Sequence, residues 1–264
     1  MSETPTPPQV TGQMYLYNKP ELLNPEQHKG LGVNKIERPF QFAATARALP
    51  ITVSEIAAAS HDYPIVFASL ESPVPLAVVG IIDDANLFVS EGGQWEEHRY
   101  IPGYVRRYPF GAATETGGER FAVVIDSEYP GLSEGGETQL FEGTEPTKFT
   151  SDAVDFTRRY EEDRQMTNQF IDMMKEMNIL SGQTAQYTPT NGGDQVSFAQ
   201  YVGFDENALK ELDDEKFKQL RTAGVLPIIY SQLLSMTHWR GLVSRRAARF
   251  NLTEENVFQP LKLS

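Results

Sequence analysis

Two stretches of the chain hold side chains whose types and spacing could do chemistry. The first is His61-Asp62-Tyr63. An imidazole, a carboxylate and a phenol in succession, at a junction between a helix and a strand, could project three polar tips into a cleft. The structural alternative is that His61 and Asp62 satisfy the exposed end of the preceding helix. The second stretch is Trp95 followed by Tyr100-Ile101-Pro102-Gly103-Tyr104-Val105-Arg106-Arg107-Tyr108-Pro109-Phe110. Paired guanidinium groups beside aromatic faces suit a carboxylate, a phosphate or the acidic peptide of a partner. Here the alternative is an internal arginine–carboxylate network that fastens the string to the acidic segment 127–150. If Pro102 opens a helical turn, Tyr104 and Tyr108 fall on one side of it. Arg106 and Arg107 then point about 100° apart, so the two arginines have different environments. One is expected to be tied to an internal carboxylate, Asp126 or Asp62, and the other to be open. The candidate ligand- or partner-binding residues are therefore His61, Asp62, Tyr63, Trp95, Tyr104, Arg106, Arg107 and Tyr108. None of them is assigned a catalytic role.

Little else in the sequence spells a reaction. The histidines His28, His61, His98 and His238 are far apart and none stands in HxH or HExxH spacing, so no metal site is predicted. The acidic pairs Asp83-Asp84, Glu96-Glu97, Glu161-Glu162 and Asp213-Asp214 are neighbours whose side chains diverge, which suits solvated faces and helix caps. Phosphate-binding glycine motifs and a GxSxG elbow are missing, and no cofactor is predicted. With no cysteine, disulfides and thiolate chemistry are excluded, as suits a reducing compartment. A net charge of −13, from 36 acidic and 23 basic residues, repels nucleic acid and anionic bilayers. The expected partner is a protein or a small acidic ligand, not nucleic acid.

These side chains must be positioned by elements that the apolar pattern predicts. Residues 1–13, rich in Pro and Thr, read as a disordered tail, Met14-Tyr15-Leu16-Tyr17 as a short strand, and 18–38 as an extended arm. Thr52 and Glu55 have capping-box spacing ahead of Ile56-Ala57-Ala58-Ala59, so a short helix delivers His61 to the first central strand. Short apolar runs at Ile65–Ala68, Leu76–Ile82, Leu87–Val89 and Phe121–Asp126, separated by Pro, Asp, Asn and Gly, predict a mostly antiparallel sheet. Ser151 and Asp152 mark the start of a long helix with a stripe of Phe156, Tyr160, Thr167, Phe170, Met174 and Met177. Gln183–Asp194 reads as a polar loop, and Val196–Val202 as a strand. Asp205 caps one short helix and Asp213 or Asp214 caps a second. A last helix, opened at Pro227, runs to about Phe250, with Leu226, Ile229, Leu233, Met236 and Leu242 predicted in the core. Its four arginines, 240, 245, 246 and 249, are read as facing the negative end of the helix dipole. No segment predicts a membrane span and the N-terminus lacks the pattern of a secretory signal, which gives a cytoplasmic protein; the alternative is display at the cell surface by a signal-independent route.

The predicted fold class is α+β: a central, mostly antiparallel sheet with the C-terminal helices packed against it. One domain is expected over residues 14–250, with a C-terminal extension at 251–264. The succession DYPIVF, VPLAVVGI, NLFV, GQW, YIPGYVRRYPF and FAVVID, with LPIIYSQLLS near the end, resembles the SapC family of bacterial proteins from about Tyr15 to Val243. YxPxYxRRYPF is the most specific part of the match. The resemblance implies a bacterial protein in an envelope context, because the family takes its name from surface layers. It also implies a gene neighbourhood of halogenase-like, cupin-like and outer-membrane receptor genes, and it carries over no catalytic residues. An accessory or binding protein of the cell envelope, serving surface-layer assembly or nutrient uptake, is the expected function. The alternative is an enzyme or enzyme subunit acting on a small acidic ligand or peptide.

Overall fold

The computed structural model describes residues 13–114, 121–190 and 192–261. The tail expected at 1–13 falls, but for Gln13, outside the described residues. In chain order the first elements are β1 (Pro20–Leu22), α1 (Pro25–His28), β2 (Leu31–Val33), β3 (Ala48–Pro50) and α2 (Ile56–Ala59). There follow β4 (Ile65–Phe67), β5 (Pro75–Val78), α3 (Gly103–Arg106), β6 (Phe110–Thr114) and β7 (Phe121–Asp126). Next come β8 (Leu132–Glu134), β9 (Thr138–Gln139), β10 (Phe141–Glu142), β11 (Glu145–Pro146) and α4 (Lys148–Met177). The last are β12 (Leu180–Tyr187), β13 (Val196–Phe204), α5 (Glu206–Lys210), α6 (Asp214–Thr222), α7 (Leu226–Ser235) and α8 (Trp239–Phe250). Among the described residues every strand pairing is antiparallel and helices dominate the C-terminal third, so the fold is α+β.

The chain forms two compact units, each from two lengths of chain: Met1–Phe42 with Arg107–Glu161, and Ala43–Arg106 with Glu162–Ser264. In the first unit β7 lies between β1 and β6, β2 lies between β8 and β9, and β10 pairs with β11. Phe110, Ile125, Leu140 and Phe141 form its buried cluster, with Leu31, Val33, Val123 and Leu132 packed around them. The Phe121–Asp126 strand thus belongs to a different sheet from Ile65–Phe67, because its apolar residues pair with β6 and the N-terminal arm.

The second unit is built on a five-stranded sheet of order β12-β13-β4-β5-β3. All three residues of β4 are buried, as a strand covered on both faces requires. Leu87–Val89 does not join the sheet. Asn86 turns it away by accepting from Phe88 N at 3.0 Å, and only an isolated bridge links Val89 to Trp95. The first part of the predicted polar loop Gln183–Asp194, as far as Tyr187, is instead β12, whose ladder with β13 supplies the backbone bonds. Helix α4 begins three residues before Ser151: Thr147 accepts from Ser151 N through its carbonyl (2.9 Å) and from Thr150 N through its hydroxyl (3.4 Å).

The last predicted helix is interrupted. Ser235 Oγ donates to Gln232 O at 2.6 Å, and a 3-10 turn over Met236–His238 separates α7 from α8. Of the predicted core residues of this region, Ile229 and Leu242 are buried, while Leu226, Leu233 and Met236 are only partly so. Ile229→Ala should therefore cost about 2–5 kcal/mol, and Leu233→Ala no more than about 1 kcal/mol, because little apolar surface is removed from a closed core there. Denaturant midpoints of the two variants, measured side by side, check that order.

Candidate functional site

The structure divides the sequence-predicted site residues. Six of them, His61, Asp62, Tyr63, Trp95, Tyr104 and Arg106, lie in the second unit, and Arg107 and Tyr108 in the first. Tyr63 is fully buried and its hydroxyl donates to the Tyr100 carbonyl. Burial pushes that hydroxyl well above its ordinary pKa, so it stays a protonated donor. Asp62 accepts from Arg99 Nη1 at 2.9 Å and from Tyr100 N at 2.8 Å. It thus ties the start of the sheet to the loop before α3 instead of projecting into a cleft. His61 is exposed, and Trp95 and Tyr104 are core side chains.

The two arginines do differ. Arg107 is tied and Arg106 faces solvent, but the partner of Arg107 is neither Asp126 nor Asp62. In the first unit Arg107 Nη1 donates to Glu161 at 3.0 Å, with side-chain exposures of 4% and 6%, and its guanidinium lies 4.6 Å from the Tyr160 ring centre. Asp126 is already saturated: it accepts from Asn18 N, Lys19 N and Glu128 N and from the Tyr108 hydroxyl. Burial first, and Asp126 second, hold the Tyr108 hydroxyl well above its usual range. The Tyr108 ring stacks on Phe42 at 3.8 Å and meets Tyr17 and Tyr129 edge-on. In the second unit Arg106 is half-exposed, donates to Ile101 O at 2.9 Å and stands over the Tyr100 ring. The buried carboxylate of that neighbourhood is Glu55, which accepts from Tyr100 Oη at 2.9 Å and Gly103 N at 2.6 Å while closing the predicted capping box with Thr52.

The C-terminal arginines also have partners the dipole reading missed. Arg245 pairs with Glu96, which holds the Glu96 carboxyl below its usual range. Arg246 pairs with Asp83, and Arg249 donates to the carbonyls of Asn86 and Val89. Helix α8 thereby fastens the irregular segment 83–96 through a row of guanidinium groups. Among the described residues no three of His, Asp and Glu converge to hold a metal ion.

A recess of about 440 Å³ lies elsewhere in the second unit, between α5, α6 and α7. Asp205 caps α5 by accepting from Asn207 N and Ala208 N, and Asp213 caps α6 by accepting from Lys216 N. These two caps and the left-handed Gly224, at φ +71°, fold a short stretch back across α7. The apolar lining is Leu209, Leu212, Phe217, Tyr230, Leu233 and Leu234, and Glu206, Lys210 and Asp214 supply the charge.

Helix α7 buries two polar side chains and leaves large apolar ones exposed. Its buried face carries Gln232 and Ser235 beside Ile229: Gln232 Nε2 donates to Ile65 O at 2.8 Å, and Ser235 Oγ accepts from Ile65 N at 2.9 Å. Its outer face leaves Leu234 70% and Tyr230 47% exposed, next to Phe217 at 38%. A surface helix normally has the opposite arrangement. Sequence reasoning missed this face because the apolar spacing of LPIIYSQLLS is read as core wherever it occurs. The one sequence signal was the pair of polar residues Gln232 and Ser235, three apart on the helix.

No curated protein and no solved structure matches the chain. Among the described residues, no helix is long and apolar enough to cross a membrane. A family model, SapC, matches residues 23–242. That span takes in both units and the recess, and the chain belongs to the SapC family.

Proposed function

We propose that this protein is an accessory binding protein of the bacterial cell envelope, serving surface-layer assembly or uptake. Its contact surface is the α5–α6–α7 recess. The observation that carries the reading is helix α7, which buries Gln232 and Ser235 against the sheet beside Ile229 while Tyr230 and Leu234 stand exposed at the recess and Leu233 lines it. Large apolar side chains gathered in one open depression stabilise the fold little and gain free energy when a partner covers them. The envelope link rests on the SapC family and its surface-layer name.

The occupant we assign is an amphipathic helical segment of another protein with basic residues flanking its apolar anchors. A groove between helices takes anchors spaced along one helix face. Six acidic against four basic side chains lie between Asp205 and Thr222, in a chain of net charge −13, so the rim favours cationic flanks. The exposed His61 and Arg106 are candidate contacts for an acidic ligand, independent of the recess.

The test uses two designed amphipathic helical peptides with identical leucine faces, one with lysine and one with glutamate on the polar face. The lysine peptide should bind at least tenfold tighter, and Leu234→Asn should abolish its binding while leaving the melting temperature unchanged. Equal binding of both peptides, or binding indifferent to Leu234→Asn, would overturn the proposal. So would capture of a free fatty acid with neither peptide bound.

A further inference from the structure

The two edges of the five-stranded sheet are unlike. One edge is β3, three residues long and ending in Pro50, which is short and proline-bearing as protected edges are. The other is β12, eight residues long. The hairpin Leu180–Phe204 carries a single charged residue, Asp194, in a chain that is 22% charged. The lysines, prolines and inward-pointing charges that usually blunt an edge are absent from β12 itself.

Which peptide groups face outward follows from the ladder. Asp205 N donates to Ile179 O at 2.8 Å, and the register pairs Leu180 with Phe204. Hydrogen-bonded and non-bonded pairs alternate in an antiparallel ladder, so Ser181, Gln183 and Ala185 bond to β13. Leu180, Gly182 and Thr184 then direct their N–H and C=O groups away from the sheet. Gly182 and Thr184 are exposed, and among the described residues no other strand pairs with β12.

We infer that this edge pairs with β12 of a second copy of the chain, antiparallel about a two-fold axis at Gly182. In that register Gly182 faces its own copy and Leu180 faces Thr184 of the other chain, so every outward peptide group on the three residues gains a partner. An antiparallel edge is its own complement, which a heterologous partner is not obliged to be. Charge selects the same occupant. Two bodies of net charge −13 repel, and β12 is the long sheet edge where they meet without opposing charges. Association should therefore tighten as salt rises, the reverse of an interface held by ion pairs.

Position 182 provides the test. A Cβ added at Gly182 meets no atom within 4 Å, and its φ lies outside the left-handed range, so a side chain fits the folded monomer. Hydrogen-bonded partners on facing strands sit with Cα atoms about 5.5 Å apart, so identical charges at 182 confront each other across the axis. Sedimentation equilibrium of the full chain should show wild type passing from 29.6 kDa to twice that mass as concentration rises. Gly182→Lys and Gly182→Glu should each weaken dimerisation at least tenfold with unchanged circular dichroism. Mixing the two variants in equal amounts should restore dimers as Lys–Glu heterodimers. A wild type that stays monomeric to its solubility limit would overturn the inference, and so would single variants that dimerise like wild type or a mixture that stays monomeric.

Discussion

Replacing Arg246 by alanine is expected to cost on the order of 3–5 kcal/mol. Its side chain is 0% exposed and is the largest fully buried one among the described residues. Nε donates to Asp83 Oδ2 at 2.8 Å, Nη1 to the Val257 carbonyl and Nη2 to the Gln259 carbonyl at 2.9 Å. Asp83 in turn accepts from Leu261 N at 2.9 Å, so the guanidinium and its carboxylate together hold the chain after α8 against the segment that follows β5. Truncation strands a nearly buried carboxylate and two carbonyls at once, which is why the loss exceeds that of an ordinary ion pair. Urea unfolding with an unchanged slope should show a large fall in midpoint. A loss below about 1 kcal/mol would mean that water replaces the guanidinium at little cost.

Arg107→Ala should be nearly as damaging, on the order of 3–5 kcal/mol, whereas Arg106→Ala should stay within about 1 kcal/mol of wild type. The neighbouring arginines differ in surroundings, not in chemistry. Arg107 shares a buried site with Glu161 and the Tyr160 ring, and removing it takes a 3.0 Å charged hydrogen bond from a buried carboxylate. Arg106 keeps 45% of its side chain in solvent, and its 4.0 Å approach to Glu55 is long for an ion pair. The double variant Arg107→Ala/Glu161→Ala should lose less than the sum of its single changes, because it strands no charge. Equal losses for Arg106→Ala and Arg107→Ala would contradict this division of roles.

Local signals in the sequence carried as far as local physics reaches. The capping box at Thr52 and Glu55, the Asp205 cap, the Asp213-or-Asp214 cap that falls to Asp213 and the buried run of β4 are set by neighbours within a few residues, and all were legible. Strand β12 was not, because Gly182 and Ala185 are poor strand formers and the segment is held by pairing across the hairpin with Val196–Phe204. Nor were the long-range ion pairs. In three of the four acidic doublets the first acid meets a distant arginine: Asp83 with Arg246, Glu96 with Arg245 and Glu161 with Arg107. Composition shows that such charges exist, but only the fold decides which of them meet.

The candidate site was illegible for a related reason. Aromatic–arginine strings and His-Asp-Tyr triplets draw attention by chemistry, yet their hydroxyl, carboxylate and guanidinium groups are the strongest available fasteners for irregular chain, and here most of them fasten. The surface that remains open is made of leucine, phenylalanine and tyrosine, whose apolar spacing is read as core. Only the placement of Gln232 and Ser235 against β4 shows that α7 is turned with Tyr230 and Leu234 outward.

Amide hydrogen exchange with and without the lysine-faced amphipathic peptide tests that orientation most directly. Bound peptide should slow exchange in Glu206–Lys210, Asp214–Thr222 and Leu226–Ser235, and leave Gly103–Arg106 and the loop before it unchanged. Protection confined to the stretch from His61 through Arg106, with the three helices exchanging as before, would contradict the account and return the contact surface to the arginine–tyrosine string.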